Sequence, residues 1–216
     1  MILSEKIFKP ISNRIFSIDM NPNYVGWSVV DWKSSDEFNV INSGTISLKN
    51  INDVEYKFKK LMMPSTSKER KYLNNKRQHE TLEVAKFLVD IAKHYHCECF
   101  GVEDLSIKSK DNKQGKNFNR LVNNNWCRNK LVNNLKKRCN IYGIKFVEIS
   151  PQYSSIIGNL VYRDLELPDM VLSSIEISRR CYEFNLQYIL KVKAKTKNVI
   201  FPIITESLLD KVKHSL

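Results

Sequence analysis

The sequence predicts an α/β protein with a mixed five-stranded sheet flanked by helices. Two observations support this fold class. Three strand-like runs follow one another in the N-terminal quarter of the chain and are separated by short polar turns. Beyond them, helix-like and strand-like segments alternate, as they do when helices connect the strands of an open sheet. No internal repeat is evident in the 216 residues.

The first three strands are predicted at Arg14–Met20, Tyr24–Trp32 and Phe38–Leu48. An Asn-Pro-Asn turn at residues 21–23 joins the first two, and a polar KSSDE stretch joins the second to the third. These short connections predict an antiparallel meander.

The remaining predicted elements alternate between helix and strand. In chain order they are a helix ending near residue 94, a strand at 98–105, a helix at 118–140, a strand at 144–149 and a helix beginning at 168–169. Apolar residues recur at helical spacing in the first of these helices, at Leu82, Ala85, Val89 and Ala92. The predicted last helix has a single stripe of residues at helical spacing along one side, formed by Met170, Ser174, Ile177, Cys181 and Phe184.

The composition is typical of a globular protein, with 42% hydrophobic and 27% charged residues. No stretch approaches the roughly 18 apolar residues of a membrane span, and the N-terminal MILSEKIFKP has too short an apolar part for a signal peptide. We therefore expect an intracellular, cytoplasmic protein with no membrane partner. A bacterial, viral or mobile-element origin is compatible with the composition.

The net charge of +12 favours a polyanionic partner. Residues 106–140 contain ten Lys or Arg and ten Asn against one acid, Asp111. Such side chains bind phosphate oxygens, and an aromatic side chain among them can stack on a base. The candidate nucleic-acid-binding residues are Lys108, Lys110, Lys116, Arg120, Trp126, Arg128 and Lys130. A solvated surface rich in Lys and Asn is the alternative explanation.

Three carboxylates stand at the ends of predicted elements. Asp19 ends the first strand, Glu103 ends the fourth, and Asp169 opens the last helix, where the helix dipole favours an anion. If the first and fourth strands are neighbours and the last helix crosses their ends, the three meet. Carboxylates held together raise one another's pKa and need cations to stay ionised, and Mg²⁺ prefers such oxygen ligands. Two Mg²⁺ or Mn²⁺ ions at such a site can hydrolyse a phosphodiester bond.

Each acid also has a structural alternative. Asp19 can help to form the turn that follows it, Glu103 can pair with a lysine of the IKSK stretch, and Asp169 can be an N-cap. The sequence leaves these alternatives open for each residue taken singly. The strand order and the basic segment next to Glu103 favour the joint interpretation as a metal site.

Other cofactor chemistries have weaker support in the sequence. The six glycines form neither a GxxxxGK[ST] nor a GxGxxG loop, which disfavours a nucleotide-binding site. The HYHCEC stretch at 94–99 could hold zinc, but no second ligand pair follows it at zinc-site spacing. His79 could approach the acidic site from its helix or simply lie on the surface.

Four stretches, SIDMNPNYVGWSVVD, FGVEDLS, SPQYSSIIGNLVY and PDMVLSSIEISRR, resemble the RuvC-like nuclease core. The likeness is strongest to the transposon-encoded TnpB nucleases and the type V CRISPR effectors, and the element order is that of the ribonuclease H-like fold. The resemblance implies that Asp19, Glu103 and Asp169 are the catalytic, metal-binding residues. It also implies a nuclease domain at 14–190, with an extension at 1–13 and an appendage at 191–216.

The chain departs from the family in three respects. Ser173 and Ser174 stand where the family often has alanines, and the cysteine pairs of the TnpB zinc ribbon are missing. Thirteen residues precede Arg14, at the place where the family carries its RNA-binding domains. We therefore expect that this chain does not hold a guide RNA by the family's own means.

Three functions follow from these observations. The first is a structure-specific DNA endonuclease similar to Holliday junction resolvases, which would act as a homodimer. The second is a relative of the guide-dependent nucleases that is directed by an RNA or a partner subunit. The third is a nucleic-acid-binding module whose acids are inactive.

Overall fold

The computed structural model describes residues 8–49, 51, 67–104 and 128–194. Five strands lie within these residues: β1 (Ile11–Met20), β2 (Tyr24–Trp32), β3 (Phe38–Ser47), β4 (Cys97–Glu103) and β5 (Lys145–Ile149). The α-helices of this part of the chain are α1 (Ser67–His94), α2 (Arg128–Tyr142), α3 (Ser154–Val161) and α4 (Asp169–Ala194). A 3₁₀ turn at Arg163–Leu165 separates α3 from α4. None of the described helices is long and apolar enough to span a membrane.

The strands form a single mixed sheet in the order β3-β2-β1-β4-β5. The meander β1-β2-β3 is antiparallel, while β1 pairs with β4, and β4 with β5, in parallel. Parallel neighbours need long crossover connections, which the chain makes through its helices. This is the predicted fold class, an α/β ribonuclease H-like sheet flanked by helices, and the prediction is confirmed.

Helices cover both faces of the sheet. The side chains of Phe16 and Ile18 point to one face, where they share a hydrophobic core with buried residues of α1 and α2. The side chain of Ile15 points to the other face and packs with buried residues of α4. Because successive residues of a strand alternate between faces, this division assigns residues 14–20 of β1, which pair with β2 in continuous register, to one layer or the other.

Helix α4 is buried over its whole circumference from residue 171 to residue 183. It crosses β1 and β2 on one side and packs against α3 on the other. Gly158 of α3 permits this contact, since a Cβ at that position would lie 2.6 Å from the carbonyl oxygen of Leu172. The expected single apolar stripe is therefore wrong for this helix, and Phe184, predicted to pack, is exposed.

The other element boundaries lie close to their predicted positions. Strand β2 has the predicted bounds, and β1 begins three residues before the predicted Arg14. Helix α2 ends at Tyr142, two residues beyond the predicted end, and the predicted helical residues 118–127 lie outside the described residues. In α1, Leu82 is exposed, whereas Leu88, which the predicted stripe omits, is buried.

Candidate active site

Strands β1 and β4 end side by side, and each ends in a carboxylate. The parallel register pairs Ser17 with Gly101 and Ile18 with Val102, so Asp19 and Glu103 are the next residues along the two strands. Neighbouring strands lie about 4.8 Å apart. Asp19 follows Ile15 and Ser17 in the alternation that points to α4, and Glu103 likewise points to the layer of α3 and α4. The two carboxylates are therefore cross-strand neighbours on one face of the sheet.

Asp19 is an unusually weak acid in this environment. Burial raises its pKa, the negative charge of Glu103 raises it further, and the result is a pKa of about 7. Hydrogen bonds from the Ser173 hydroxyl and the Met20 backbone N–H act in the opposite direction because they stabilise the ionised form. The effect of the Glu103 charge on the pKa of Asp19 follows from the adjacent positions of the two residues at the strand ends.

Glu103 is 6% exposed and is held by a different set of groups. The Ser154 hydroxyl, at the first residue of α3, donates a short hydrogen bond to Glu103 Oε1. Burial raises the pKa of Glu103, whereas the Ser154 hydrogen bond and the guanidinium groups of Arg180 and Arg128 lower it. Burial thus raises the pKa of both acids, and each has hydrogen-bond donors or cations that favour its ionised form.

Asp169 lies at the start of α4, directly above the ends of β1 and β2. Gly26 is the β2 partner of Asp19, and a Cβ on Gly26 would lie 2.6 Å from the backbone of Met170. The missing side chain at Gly26 is what allows the first turn of α4 to rest on the sheet. Ser173 ties this turn to the strand, because its hydroxyl lies 2.8 Å from the Asp169 carbonyl oxygen and also bonds the Asp19 carboxylate.

The structure brings two of the three predicted carboxylates together and puts the third on the adjoining helical turn. Asp169 is exposed, and among the described residues no three His, Cys, Asp or Glu side chains are grouped closely enough to hold one metal ion. A shared set of metal ions on Asp19, Glu103 and Asp169 therefore stays a prediction. The donor set nevertheless suits a hard divalent cation, because all three groups offer carboxylate oxygens.

The two serines that depart from the family pattern have definite roles in the structure. Ser173 bonds Asp19 as described, whereas the Ser174 hydroxyl lies within hydrogen-bond distance of the Val171 carbonyl oxygen, at 2.7 Å, and of the Ser28 hydroxyl, at 2.8 Å. Ser17 in turn donates to the Ser174 carbonyl oxygen at 2.6 Å. The hydrogen bonds among the buried hydroxyls of Ser17, Ser28 and Ser174 hold α4 against β1 and β2 next to Asp19.

A buried ion cluster lies further along α4. Arg179 makes two hydrogen bonds to Glu176, at 2.8 and 2.9 Å, and one to Glu183 at 2.5 Å. Arg180 bonds Glu176 and the carbonyl oxygen of Ser150, both at 2.8 Å. The sequence suggests either phosphate contact or ion pairing on a helix surface for the two arginines. Both are buried, so their ion pairs are part of the core and not of the surface.

The predicted nucleic-acid-binding residues divide into three groups. Five of them lie outside the described residues, namely Lys108, Lys110, Lys116, Arg120 and Trp126. Lys130 is exposed on α2. Arg128 is buried, and its guanidinium donates to the backbone carbonyl oxygen of Glu103 at 3.1 Å. Their contacts with nucleic acid stay predictions, and for Arg128 the observed position favours support of the acidic strand instead.

Two other sequence candidates lie away from the acidic pair. His79 is exposed on α1, which packs on the opposite face of the sheet. Cys97 and Cys99 are buried free cysteines. The sequence carries no local signal for the roles of Ser154, Ser173 and Gly26 in the site, since these roles depend on contacts between distant elements.

The fold and the site together define an α/β protein of ribonuclease H-like topology with two neighbouring acids, Glu103 buried and Asp19 half-buried, at the carboxyl ends of paired parallel strands. No protein-family model and no curated protein matches this chain. Solved structures of RuvC from Thermus thermophilus are similar to it. One, at 11% identity and a TM-score of 0.47, covers 80% of this chain and 96% of that chain. Another, of the T. thermophilus RuvC in complex with a Holliday junction substrate, has 10% identity and a TM-score of 0.46 and covers 80% and 94%. Likeness at this level concerns the fold alone.

Proposed function

We propose that this chain is a metal-dependent endonuclease that hydrolyses phosphodiester bonds in DNA, with four-way or otherwise branched DNA as its substrate. The proposal rests on the pairing of Asp19 with Glu103. Two carboxylates side by side, one buried and one half-buried, repel each other when both are ionised, and a fold gains no stability from such an arrangement. Strongly perturbed carboxylates that meet at strand ends are typical of functional sites.

Asp19, Glu103 and Asp169 would hold the metal ions in this proposal, and Mg²⁺ or Mn²⁺ suits their oxygens. A pair of such ions supplies Lewis acidity at the phosphate and lowers the pKa of the attacking water. Asp169 has the freedom to join the site because its side chain is exposed on the first turn of α4.

The chain's own contribution is to keep the carboxylates ionised and oriented. Ser154 donates to one oxygen of Glu103 and thereby fixes the orientation of its carboxylate. Ser173 restrains Asp19 in the same way from α4. Because each hydroxyl stabilises the ionised form of its acid, both lower the energy needed to prepare the site for cations.

DNA is the proposed polyanion because the net charge of +12 favours phosphate contacts. The basic residues proposed to hold the DNA backbone are Lys108, Lys110, Lys116, Arg120 and Lys130. A homodimer would suit a two-fold symmetric junction, with one acidic site acting on each of two strands.

The test is a cleavage assay with purified protein and Mg²⁺ on four-way junctions, linear duplexes and single strands of the same sequence. We expect cutting of the junction, and loss of cutting in the Asp19→Asn variant. Asp90→Asn is the matched control, because Asp90 is exposed on α1 on the opposite face of the sheet. Cutting that begins only after an RNA or a second protein is added would favour the guide-directed alternative. Binding without cutting in either Mg²⁺ or Mn²⁺ would contradict the proposed activity and favour a binding module.

A further inference from the structure

Tyr153 is the residue immediately before Ser154, at the N-terminal end of α3. The Tyr153 side chain is large and exposed, with 69% of the residue accessible to solvent. Its backbone lies in the left-handed region, at φ 58° and ψ 12°. Only glycine and, to a lesser degree, asparagine and aspartate adopt this conformation without an appreciable energetic penalty. A large aromatic residue is therefore an unfavourable choice at this position.

The fold itself gains little from a tyrosine here. An N-cap residue usually has an extended backbone and a short polar side chain that bonds the first N–H groups of the helix. Tyr153 has neither property, and within the described part of the chain its side chain makes no capping hydrogen bond to α3. The ring is also not buried, so it contributes little hydrophobic stabilisation. Strained residues without a structural benefit are characteristic of functional sites.

The position of Tyr153 relative to the acidic pair is fixed by its neighbour. Ser154 is 2% exposed and bonds the Glu103 carboxylate, so this turn is anchored to the end of β4. Consecutive Cα atoms are about 3.8 Å apart, and the exposed ring therefore emerges one residue away from the group that holds Glu103. Ile156, one turn further along α3, is also exposed. An aromatic and an aliphatic side chain thus lie on the accessible surface next to the acids.

We propose that Tyr153 contacts the nucleic acid directly, with its ring stacked on a base next to the phosphate that the site cleaves. This inference rests on the DNA endonuclease function proposed above and extends it to a residue that binds substrate. An aromatic ring suits this task because every base has a stacking face, whereas a charged side chain would contact the backbone. At this turn the Ser154 side chain is buried against Glu103, while the Tyr153 ring is exposed to solvent.

The test separates binding from cutting. A four-way junction and a single strand, each with 2-aminopurine near the expected cleavage position, are titrated with the full chain in Ca²⁺, and anisotropy and 2-aminopurine fluorescence are recorded. Tyr153→Gly relieves the backbone strain, so we expect its melting midpoint to rise by about 2–4 °C. The same variant should bind DNA about tenfold more weakly, because it loses one aromatic–base stack. Tyr153→Phe keeps the ring and should retain both the affinity and the fluorescence change.

Two further variants keep the result interpretable. Tyr153→Asn also tolerates the left-handed backbone, and it replaces the glycine variant if that protein does not fold. His96→Gly is the matched control, because His96 is exposed at φ 56° and precedes β4 at the end of the sheet opposite to Glu103. This control should leave DNA affinity unchanged.

Each outcome bears on the inference. If wild-type protein cuts DNA but Tyr153→Gly binds within twofold of it, the stacking role is wrong and the endonuclease function stands. If wild-type protein binds DNA without cutting it in Mg²⁺, the endonuclease function is wrong, and a tenfold loss of affinity in Tyr153→Gly but not in Tyr153→Phe would still support the contact of Tyr153 with DNA. If wild-type protein binds none of these DNAs, both proposals are wrong.

Discussion

Replacing Asp19 with Asn should stabilise the metal-free protein at alkaline pH. The folded protein raises the pKa of Asp19 from 3.8 to about 7, through burial and the charge of Glu103. Between these pH values the folded state binds one proton more than the unfolded state, so stability falls as the pH rises. Since a tenfold change in an equilibrium constant is about 1.4 kcal/mol, the ionised side chain costs the folded state about 4 kcal/mol above pH 7. An amide of the same shape does not ionise and escapes this cost.

The assay is urea unfolding of wild-type protein and the Asp19→Asn variant at pH 5 and pH 8, in EDTA. We expect the variant to be more stable than wild type by up to about 4 kcal/mol at pH 8, with a clearly smaller difference at pH 5, because there the wild-type side chain is protonated in the folded state. Asp90→Asn, on the exposed surface of α1, should change stability by less than about 0.5 kcal/mol at either pH. A variant that is no more stable than wild type at pH 8 would refute the argument that Asp19 is held at an electrostatic cost.

Three further substitutions test the supports of the site. Ser154→Ala removes the hydrogen bond to Glu103 and should raise the pKa of that acid, so the acidic limb of the pH–rate profile for DNA cleavage should move to higher pH. Ser154→Thr keeps a hydroxyl and should restore the wild-type profile. An unchanged profile in Ser154→Ala would count against this role of Ser154. Gly26→Ala introduces a Cβ 2.6 Å from the Met170 backbone and should displace the first turn of α4. The DNA cleavage rate should fall about 100-fold as a result. An unchanged rate in a folded variant would show that the position of this turn does not matter for cleavage. Arg179→Met removes the cation that pairs with Glu183 and one of the two that pair with Glu176, so it should lower the free energy of unfolding by about 3–5 kcal/mol in urea unfolding. A loss below about 1 kcal/mol would contradict the buried ion cluster.

The strands were predictable because their signals are local. The alternation of apolar and polar residues in β1 and the Asn-Pro-Asn turn that follows it define where the strand ends, and β2 has the bounds predicted from its own residues. The same alternation predicts Asp19 at the end of the first strand, and the apolar run FGVEDL predicts Glu103 at the end of the fourth. The two acids meet if the first and fourth strands are neighbours, and the structure shows that β1 and β4 are neighbours in the sheet.

The surroundings of the acids were not predictable because they depend on contacts between distant elements. Arg179 and Glu176 have the three-residue spacing of an ordinary surface ion pair on a helix, and only the burial of α4 between the sheet and α3 makes them part of the core. Ser154 occurs in a serine pair that looks like many polar turns, yet its hydroxyl reaches a residue 51 positions earlier in the chain. Gly26 in β2 could equally have marked a bulge.

The central claim is that Asp19, Glu103 and Asp169 hold divalent cations together. The most direct test is a crystal structure of the protein grown with Mn²⁺, in which the ions are located by their anomalous scattering. We predict Mn²⁺ bound between Asp19 and Glu103, with Asp169 turned toward it as a further ligand, and loss of that signal in the Asp19→Asn variant. Mn²⁺ bound elsewhere, or a lysine ammonium group between the two acids in place of a metal ion, would contradict the account.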